Sequence, residues 1–211
     1  MWQFREHKNW NEYHWEREIR RDERRISRYF SELPSCIDLP GEEEMIFNQI
    51  SGQSDLVPVS GGMQDIRNWS YISGSDDEEE PESDNSSHSH RPGHNCVDIL
   101  DHLTTDWNIL TTTFFDQEPF SHAALGIACA YARLTARTAD FVDVDYPENP
   151  DARPLKITLG KRCLADLNIL VNALRNFQSK CSASGAIDSQ IENLSWVRSR
   201  IVELLLETQK A

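Results

Sequence analysis

Arginine and aromatic side chains recur at helical spacing near the start of the chain. Residues 9–30 predict an amphipathic helix. Its apolar stripe would consist of Trp15, Ile19, Ile26 and Phe30. The side chains predicted on the other face are Trp10, Tyr13, Arg17, Arg20, Arg21, Arg24 and Arg28. Guanidinium groups beside aromatic rings suit an acidic protein surface, and they equally suit phosphates and unstacked bases. We therefore predict that this face binds a partner; the alternative is a solvated face whose arginines pair with neighbouring acids.

An acidic run later in the chain is one candidate partner for these arginines. It consists of Asp76, Asp77, Glu78, Glu79, Glu80, Glu82 and Asp84. Folding back onto the arginines, it would mask the helix through a weak, salt-sensitive contact. A kinase that prefers acidic substrates could add further negative charge at Ser75.

Three residues farther along could bind a metal. Asp98, His102 and Asp106 are spaced i, i+4, i+8, so a helix would place them on one side. Two carboxylates flanking an imidazole could hold a divalent cation, or tune the histidine as a base. No Glu-x-x-His pattern supplies ligands from a facing helix, and the predicted inward positions are nearly all apolar. We expect a polar outer face here, without metal or cofactor.

Other potential ligands lack the spacing that a site requires. They are His88, His90, His94 and Cys96 in one group, and Asp143, Asp145, Glu148 and Asp151 in another. The first matches no structural zinc pattern, and the second lacks the glycine and spacing of an EF-hand. The sequence also contains no GxSxG, no phosphate-binding loop with Lys-Ser/Thr and no HExxH. We therefore do not expect an enzyme.

Composition indicates an acidic protein without a membrane span. The chain has 211 residues and a net charge of −14, which disfavours nucleic acid except at the arginine-rich start. No apolar run approaches the roughly eighteen residues of a transmembrane helix, and the N-terminus lacks a signal peptide's apolar core. Five cysteines without a CxxC pair suggest reduced thiols, with Cys129, Cys163 and Cys181 in a core and Cys36 in a loop. We expect a cytoplasmic protein, or a nuclear one in a eukaryotic cell.

The elements that must position these residues fall into three parts. Residues 1–72 predict a helical segment, in which Leu33-Pro34 ends the first helix and a short helix covers 42–50. Residues 73–94 contain no aliphatic or aromatic side chain and predict a disordered acidic linker.

Residues 95–211 predict an antiparallel four-helix bundle, so the fold class is mostly α. Apolar residues at 4-3 spacing place its helices over about 95–116, 119–142, 159–181 and 187–208. Prolines, Pro154 among them, would keep the connection between the second and third helices non-helical, with Thr158 as the N-cap.

These observations favour a non-enzymatic interaction or regulatory protein. The bundle would dock to a protein partner or self-associate, and the arginine helix would be a second contact element. One alternative is an accessory subunit that contacts nucleic acid through the arginines. The other is a metal-dependent helical-bundle enzyme using Asp98, His102 and Asp106.

Overall fold

A computed structural model describes residues 9–37, 39–53, 55–56, 94–112, 120–144, 152–180 and 184–210. Within these ranges the chain forms six helices and no strand, which confirms the mostly α fold class. The chain divides into two compact units, Met1–Ser87 and His88–Ala211. The predicted linker over 73–94, with its acidic run, lies outside the described residues except for His94, and its boundaries stay a prediction.

Helix α1, the first element of unit one, spans Glu12–Cys36. Asn11 caps it, because its side-chain Oδ1 accepts a hydrogen bond from the backbone N–H of His14 at 3.1 Å. Helix α2 spans Glu42–Ser51, within one residue of the prediction. Gly41 precedes it with a φ of 76°, in the left-handed region that favours glycine.

The prediction that Leu33-Pro34 ends the first helix is wrong, because α1 continues through Pro34 to Cys36. A proline removes one backbone donor, here the N–H that would bond Phe30. The next turn still closes, since the N–H of Ile37 bonds the carbonyl of Leu33 at 2.9 Å. With only one hydrogen bond lost in the last turn, packing against α2 can hold the helix together.

The described core between α1 and α2 is small and apolar. Its buried members are Cys36, Ile46, Ile50 and Leu56, with Tyr29 and Leu33 packed against them. Cys36 therefore lies on a helix in the core, which corrects its predicted position in a loop.

The predicted apolar stripe of α1 is only half correct. Trp15 and Ile19 are buried, but Ile26 is 52% and Phe30 63% exposed. The face that meets α2 is the one carrying Tyr29, so the burial follows a line beside the predicted stripe.

Unit two is an antiparallel four-helix bundle, as predicted. Its helices are α3 (His94–Thr111), α4 (Phe120–Asp143), α5 (Arg153–Gln178) and α6 (Ser184–Lys210). Each helix packs on the next along the chain, and α3 also packs on α6.

Side-chain contacts show how the helices run. The end of α4 meets the start of α5, where Lys156 Nζ donates to the carbonyl of Val144 at 2.8 Å. The end of α5 meets the start of α6, where Gln178 Nε2 donates to Asp188 Oδ1 at 2.7 Å. Neighbouring helices therefore run in opposite directions.

Trp107 lies at the centre of the bundle. Its indole Nε1 donates to the carbonyl of Ala124 at 3.1 Å, and its ring centroid lies 5.5 Å from that of Phe177 and 6.3 Å from that of Tyr131. The Tyr131 hydroxyl in turn donates to Gln190 Oε1. These contacts join all four helices in one buried layer.

Helix α5 begins earlier than predicted, at Arg153 instead of about 159. Pro154 lies in its first turn, where the missing N–H would have had no intrahelical acceptor. Thr158 is therefore inside the helix and not its N-cap; its Oγ1 donates to the carbonyl of Pro154 at 2.8 Å.

Gly160 marks a close approach of three helices. A Cβ there would lie 2.6 Å from Leu205 Cδ2 on α6 and 2.9 Å from Phe141 Cε2 on α4. The lack of a side chain at this position allows these neighbours to pack against the α5 backbone.

None of the described helices is both long and apolar enough to cross a membrane.

Candidate interaction surface

Four charged side chains of α1 form a buried group that we call the α1 ion cluster: Glu18, Arg21, Asp22 and Arg25. Each is at most 12% exposed. Glu18 is central, because its Oε2 lies 2.5 Å from Arg21 Nη1 and its Oε1 lies 2.6 Å from Arg25 Nη2. The same Arg25 nitrogen lies 2.8 Å from Asp22 Oδ1. Two positive and two negative charges thus balance inside the unit.

Burial changes the pKa of one member of this cluster, Asp22. It raises the pKa of Asp22 from 3.8 to about 6, because removing a carboxylate from water disfavours its charged form. Arg25 acts in the opposite direction and only partly offsets the burial. Asp22 is therefore the cluster member that exchanges a proton close to neutral pH.

The cluster corrects the predicted position of Arg21. That side chain was expected among the partner-binding residues, but it is buried, pairs with Glu18, and donates through Nε to the carbonyl of Asp55 at 3.2 Å. It therefore contributes to the internal structure of unit one. Charged residues are rarely buried, and sequence reasoning accordingly placed Arg21 outside.

The other four predicted arginines remain on the surface. We define the arginine face of α1 as Tyr13, Arg17, Arg20, Arg24 and Arg28. All five residues are exposed, and Tyr13 is 70% exposed. Their spacing of 4-3-4-4 keeps them on one side of the helix.

Three of these arginines have one carboxylate neighbour each. Arg20 Nε lies 2.7 Å from Glu16 Oε1, Arg24 Nη1 lies 3.1 Å from Asp55 Oδ2, and Arg28 Nη2 lies 2.6 Å from Glu32 Oε1. Exposed pairs of this kind contribute about 0–1 kcal/mol. A guanidinium carries five N–H donors, so each retains donors for a second acceptor.

Arg17 differs from the other arginines of the face. It forms no ion pair with any residue in the described part of the chain. Tyr13 precedes it by one helical turn, so an exposed aromatic ring and an available guanidinium are neighbours on the surface.

Trp10 does not belong to this face. It lies before the N-cap Asn11, is half-buried, and packs edge-on against the buried Trp15 with ring centroids 4.9 Å apart. Its role in the described structure is to close the start of α1. Among the predicted partner-binding residues, Trp10 and Arg21 thus lie off the exposed face, and the remaining five share it.

The predicted metal candidates lie on α3. Asp98, His102 and Asp106 are all exposed on the side away from the bundle core, as expected for a polar outer face. No group of three or more His, Cys, Asp or Glu side chains suited to a metal occurs in the ranges that the structure describes. Helix α3 carries two more exposed residues on this side, Asp101 and Ile109.

The remaining predicted ligands are mostly outside the described ranges. His88, His90 and the loop residues Asp145, Glu148 and Asp151 lie there, and so does the His94 side chain. Within the described ranges, Cys96 is buried in the bundle.

The described thiols do not form a nucleophilic centre. Burial raises the pKa of Cys96 to about 11 and that of Cys163 to about 12, which keeps both protonated at neutral pH. Cys129 is exposed, which corrects its expected burial, because it lies on the outer side of α4. Cys181 lies outside the described residues.

Two buried polar contacts in the bundle escaped the sequence analysis. Asp166 of α5 pairs with Arg137 of α4, and the Tyr131 hydroxyl bonds Gln190 across the bundle. Arg133 Nε lies 3.6 Å from the other oxygen of Asp166. Both contacts join helices inside the bundle.

Comparisons with known proteins return nothing: no family model, curated protein or solved structure matches the chain.

Proposed function

We propose that this chain is a non-enzymatic interaction protein that binds an acidic protein surface through the arginine face of α1. The observation that carries the proposal is the exposure of Arg17, Arg20, Arg24 and Arg28 with Tyr13 on one side of a single helix. Arginine and tyrosine are enriched in the energetically dominant parts of protein interfaces.

The two sides of α1 differ in how their arginines are paired. On the inner side, the buried arginines Arg21 and Arg25 are paired with buried acids of the same helix. On the outer side, Arg20, Arg24 and Arg28 each have one weak, partly solvated partner that an incoming carboxylate can replace. Partner binding therefore does not require α1 to unfold.

An acidic protein fits this face better than nucleic acid does. Glu16, Glu32 and Asp55 border the arginines and would repel phosphates that lie along the helix. The net charge of −14 adds a repulsive field that grows with the negative charge of the partner, so it opposes a polyanion most strongly. A protein surface with a few spaced carboxylates can contact the arginines and avoid these acids.

The bundle supports the same conclusion from the other unit. Its described inward positions are apolar or hydrogen-bonded inside the bundle, either within one helix or between helices, as in Tyr131 with Gln190 and Arg137 with Asp166. This arrangement suits a scaffold.

The proposal is tested with the purified 211-residue chain and two fluorescent probes, an acidic helical peptide and a single-stranded RNA of similar length. We expect the peptide to bind more tightly than the RNA, and the affinity to fall as salt is raised. Arg17→Glu/Arg24→Glu should weaken peptide binding by about tenfold or more, because like charges then face each other.

The matched control is Arg175→Glu/Arg198→Glu, which reverses two exposed arginines of the bundle and makes the same change in net charge. It should leave peptide affinity unchanged. Circular dichroism should show that both variants keep the helical content of the parent. Equal losses in the two variants, or tighter binding of RNA than of peptide, would contradict the proposal.

A further inference from the structure

We propose that the acidic surface bound by the arginine face is the outer side of α3 in a second copy of this chain. This inference rests on the proposed function and names its partner. The α3 outer face is defined as Asp98, Asp101, His102, Asp106 and Ile109, all exposed in the described structure. The resulting contact is helix against helix, with arginines on one side and aspartates on the other.

The two faces complement each other in charge. The arginine face carries four guanidinium groups and the α3 outer face three carboxylates. None of Asp98, Asp101 and Asp106 forms an ion pair with a residue in the described ranges. These three carboxylates and the guanidinium of Arg17 are therefore available for ion pairs with another chain.

The spacing along the two helices also agrees. Arg17 and Arg24 are seven residues apart and Asp98 and Asp106 eight, which corresponds to rises of about 10.5 and 12 Å along the helix axes. In an antiparallel alignment, Arg17 faces Asp106 while Arg24 faces Asp98. Both charge pairs form in a single register.

The same register aligns the two exposed apolar residues of these faces. Tyr13 lies four residues before Arg17, and Ile109 lies three residues after Asp106, so the antiparallel alignment brings them together. Tyr13 is 70% and Ile109 64% exposed. Their contact would remove apolar surface from water at one end of the charged contact.

Each copy carries one arginine face and one α3 outer face, and in the proposed dimer each copy offers its arginine face to the α3 outer face of the other. Such reciprocal pairing closes the assembly as a dimer related by twofold symmetry. A single helix–helix contact is small compared with the roughly 800 Å² per partner of a standard interface, and a reciprocal pair doubles the buried area. The two contacts then reinforce each other through effective concentration.

Sedimentation velocity of the purified 211-residue chain tests the proposal. We expect a monomer–dimer equilibrium at low salt, about 0.05 M, that shifts toward monomer at about 1 M, where charges are screened within about 3 Å. Arg17→Glu/Arg24→Glu should weaken dimerisation more than about tenfold, and so should Asp98→Arg/Asp106→Arg, because each places like charges opposite each other.

Mixing the two variants is the decisive step. The reversed α1 of one then faces the reversed α3 of the other, while the second contact pairs two unaltered faces. We expect the mixture to form a heterodimer although neither variant dimerises alone. Variants that had simply misfolded would not recover on mixing, so this result separates charge pairing from loss of structure. Arg175→Glu/Arg198→Glu should dimerise as the parent does.

A chain that stays monomeric at every salt and concentration overturns the self-association, and so does a mixture that fails to pair. Failure of this inference is distinguishable from failure of the proposed function. If acidic peptide still binds the arginine face in a monomeric chain, only the identity of the partner is wrong. If neither dimer nor peptide binding depends on Arg17 and Arg24, both proposals fail.

Discussion

Arg25 reaches back two turns along α1 to Glu18, with its Nη2 2.6 Å from Glu18 Oε1. Both side chains are buried, at 9% and 12% exposure, and Glu18 also holds Arg21. Glu18 therefore serves two buried guanidinium groups at once.

Glu18→Gln should strongly destabilise unit one. The change leaves two buried arginines with one fewer negative charge, and breaking a buried ion pair by removing one partner costs about 3–5 kcal/mol. Denaturant unfolding followed by circular dichroism should show the loss. Glu16→Gln is the control, because Glu16 pairs with the exposed Arg20 and should change stability by less than about 1 kcal/mol. Equal effects of the two changes would contradict a special role for Glu18.

Asp22 should make unit one less stable as the pH rises through about 6. Its pKa is raised from 3.8 to about 6 in the folded state by burial, so between these values the folded state binds more protons than the unfolded state. From this group alone, linkage predicts about 1 kcal/mol more stability at pH about 5.5 than at pH about 7.5. The extra stability that Asp22 contributes is fully present below a pH of about 3.8 and is lost above a pH of about 6.

The measurement compares unfolding of the parent and Asp22→Asn at these two pH values. The difference between the two proteins isolates Asp22 from other titrating groups, and a carboxyl NMR titration reports its pKa directly. Asp101→Asn, at an exposed position, is the control. An Asp22 pKa near 4, or the same pH dependence in parent and Asp22→Asn, would refute the expectation.

Gly160→Ala should destabilise the bundle by about 1–3 kcal/mol. The new Cβ would lie 2.8 Å from Leu205 Cγ and 2.9 Å from Phe141 Cε2, so packed side chains must shift. Gly126→Ala is a matched control on α4, where a Cβ would meet nothing within 4 Å. That change should stabilise the bundle by up to about 1 kcal/mol, because alanine favours a helix over glycine. Thermal melts of the two variants should therefore move in opposite directions.

Tyr131→Phe should destabilise the bundle by about 1–3 kcal/mol. It removes the hydroxyl that donates to Gln190 and leaves a buried amide oxygen without that donor. Combining Tyr131→Phe with Gln190→Leu should recover part of the lost stability, because both polar groups are then replaced together. A double-mutant cycle measures this coupling. Tyr13→Phe, at an exposed position, should have little effect.

Cys129 should react with a thiol reagent well before the other described cysteines. It is exposed, whereas Cys36, Cys96 and Cys163 are buried, and burial raises the pKa of Cys96 to about 11 and of Cys163 to about 12. The thiolate is the reactive form, so both access and protonation protect the buried thiols. Timed alkylation followed by mass spectrometry of peptides gives the order. Early labelling of Cys163 in folded protein would contradict the bundle packing.

The bundle could be predicted because its buried residues are apolar and regularly spaced. Leu167, Leu170 and Leu174 on α5, for example, are all buried at the predicted positions. The start of α5 was missed because Pro154 was read only as a helix breaker, although proline also fits a first turn.

The internal side of α1 could be predicted only in part, because charged residues occupy core positions. Trp15, Glu18, Asp22, Arg25 and Tyr29 are spaced 3-4-3-4, the same pattern that identified the bundle helices. A pattern built from apolar residues alone leaves out the three charged members of this series. Charges of both signs at this spacing next to a buried tryptophan were the signal that could have found the α1 ion cluster. Residue types alone do not distinguish the buried Arg21 from the exposed Arg20.

The position of Trp107 has an optical consequence. Its buried indole donates to a carbonyl and lies against aromatic rings, so its fluorescence should be emitted at short wavelength. Trp196 of the same bundle is 45% exposed and should emit at longer wavelength. Opening the bundle would expose Trp107 and shift its emission. The protein thus carries its own fluorescent reporter of helix separation, read without any attached dye.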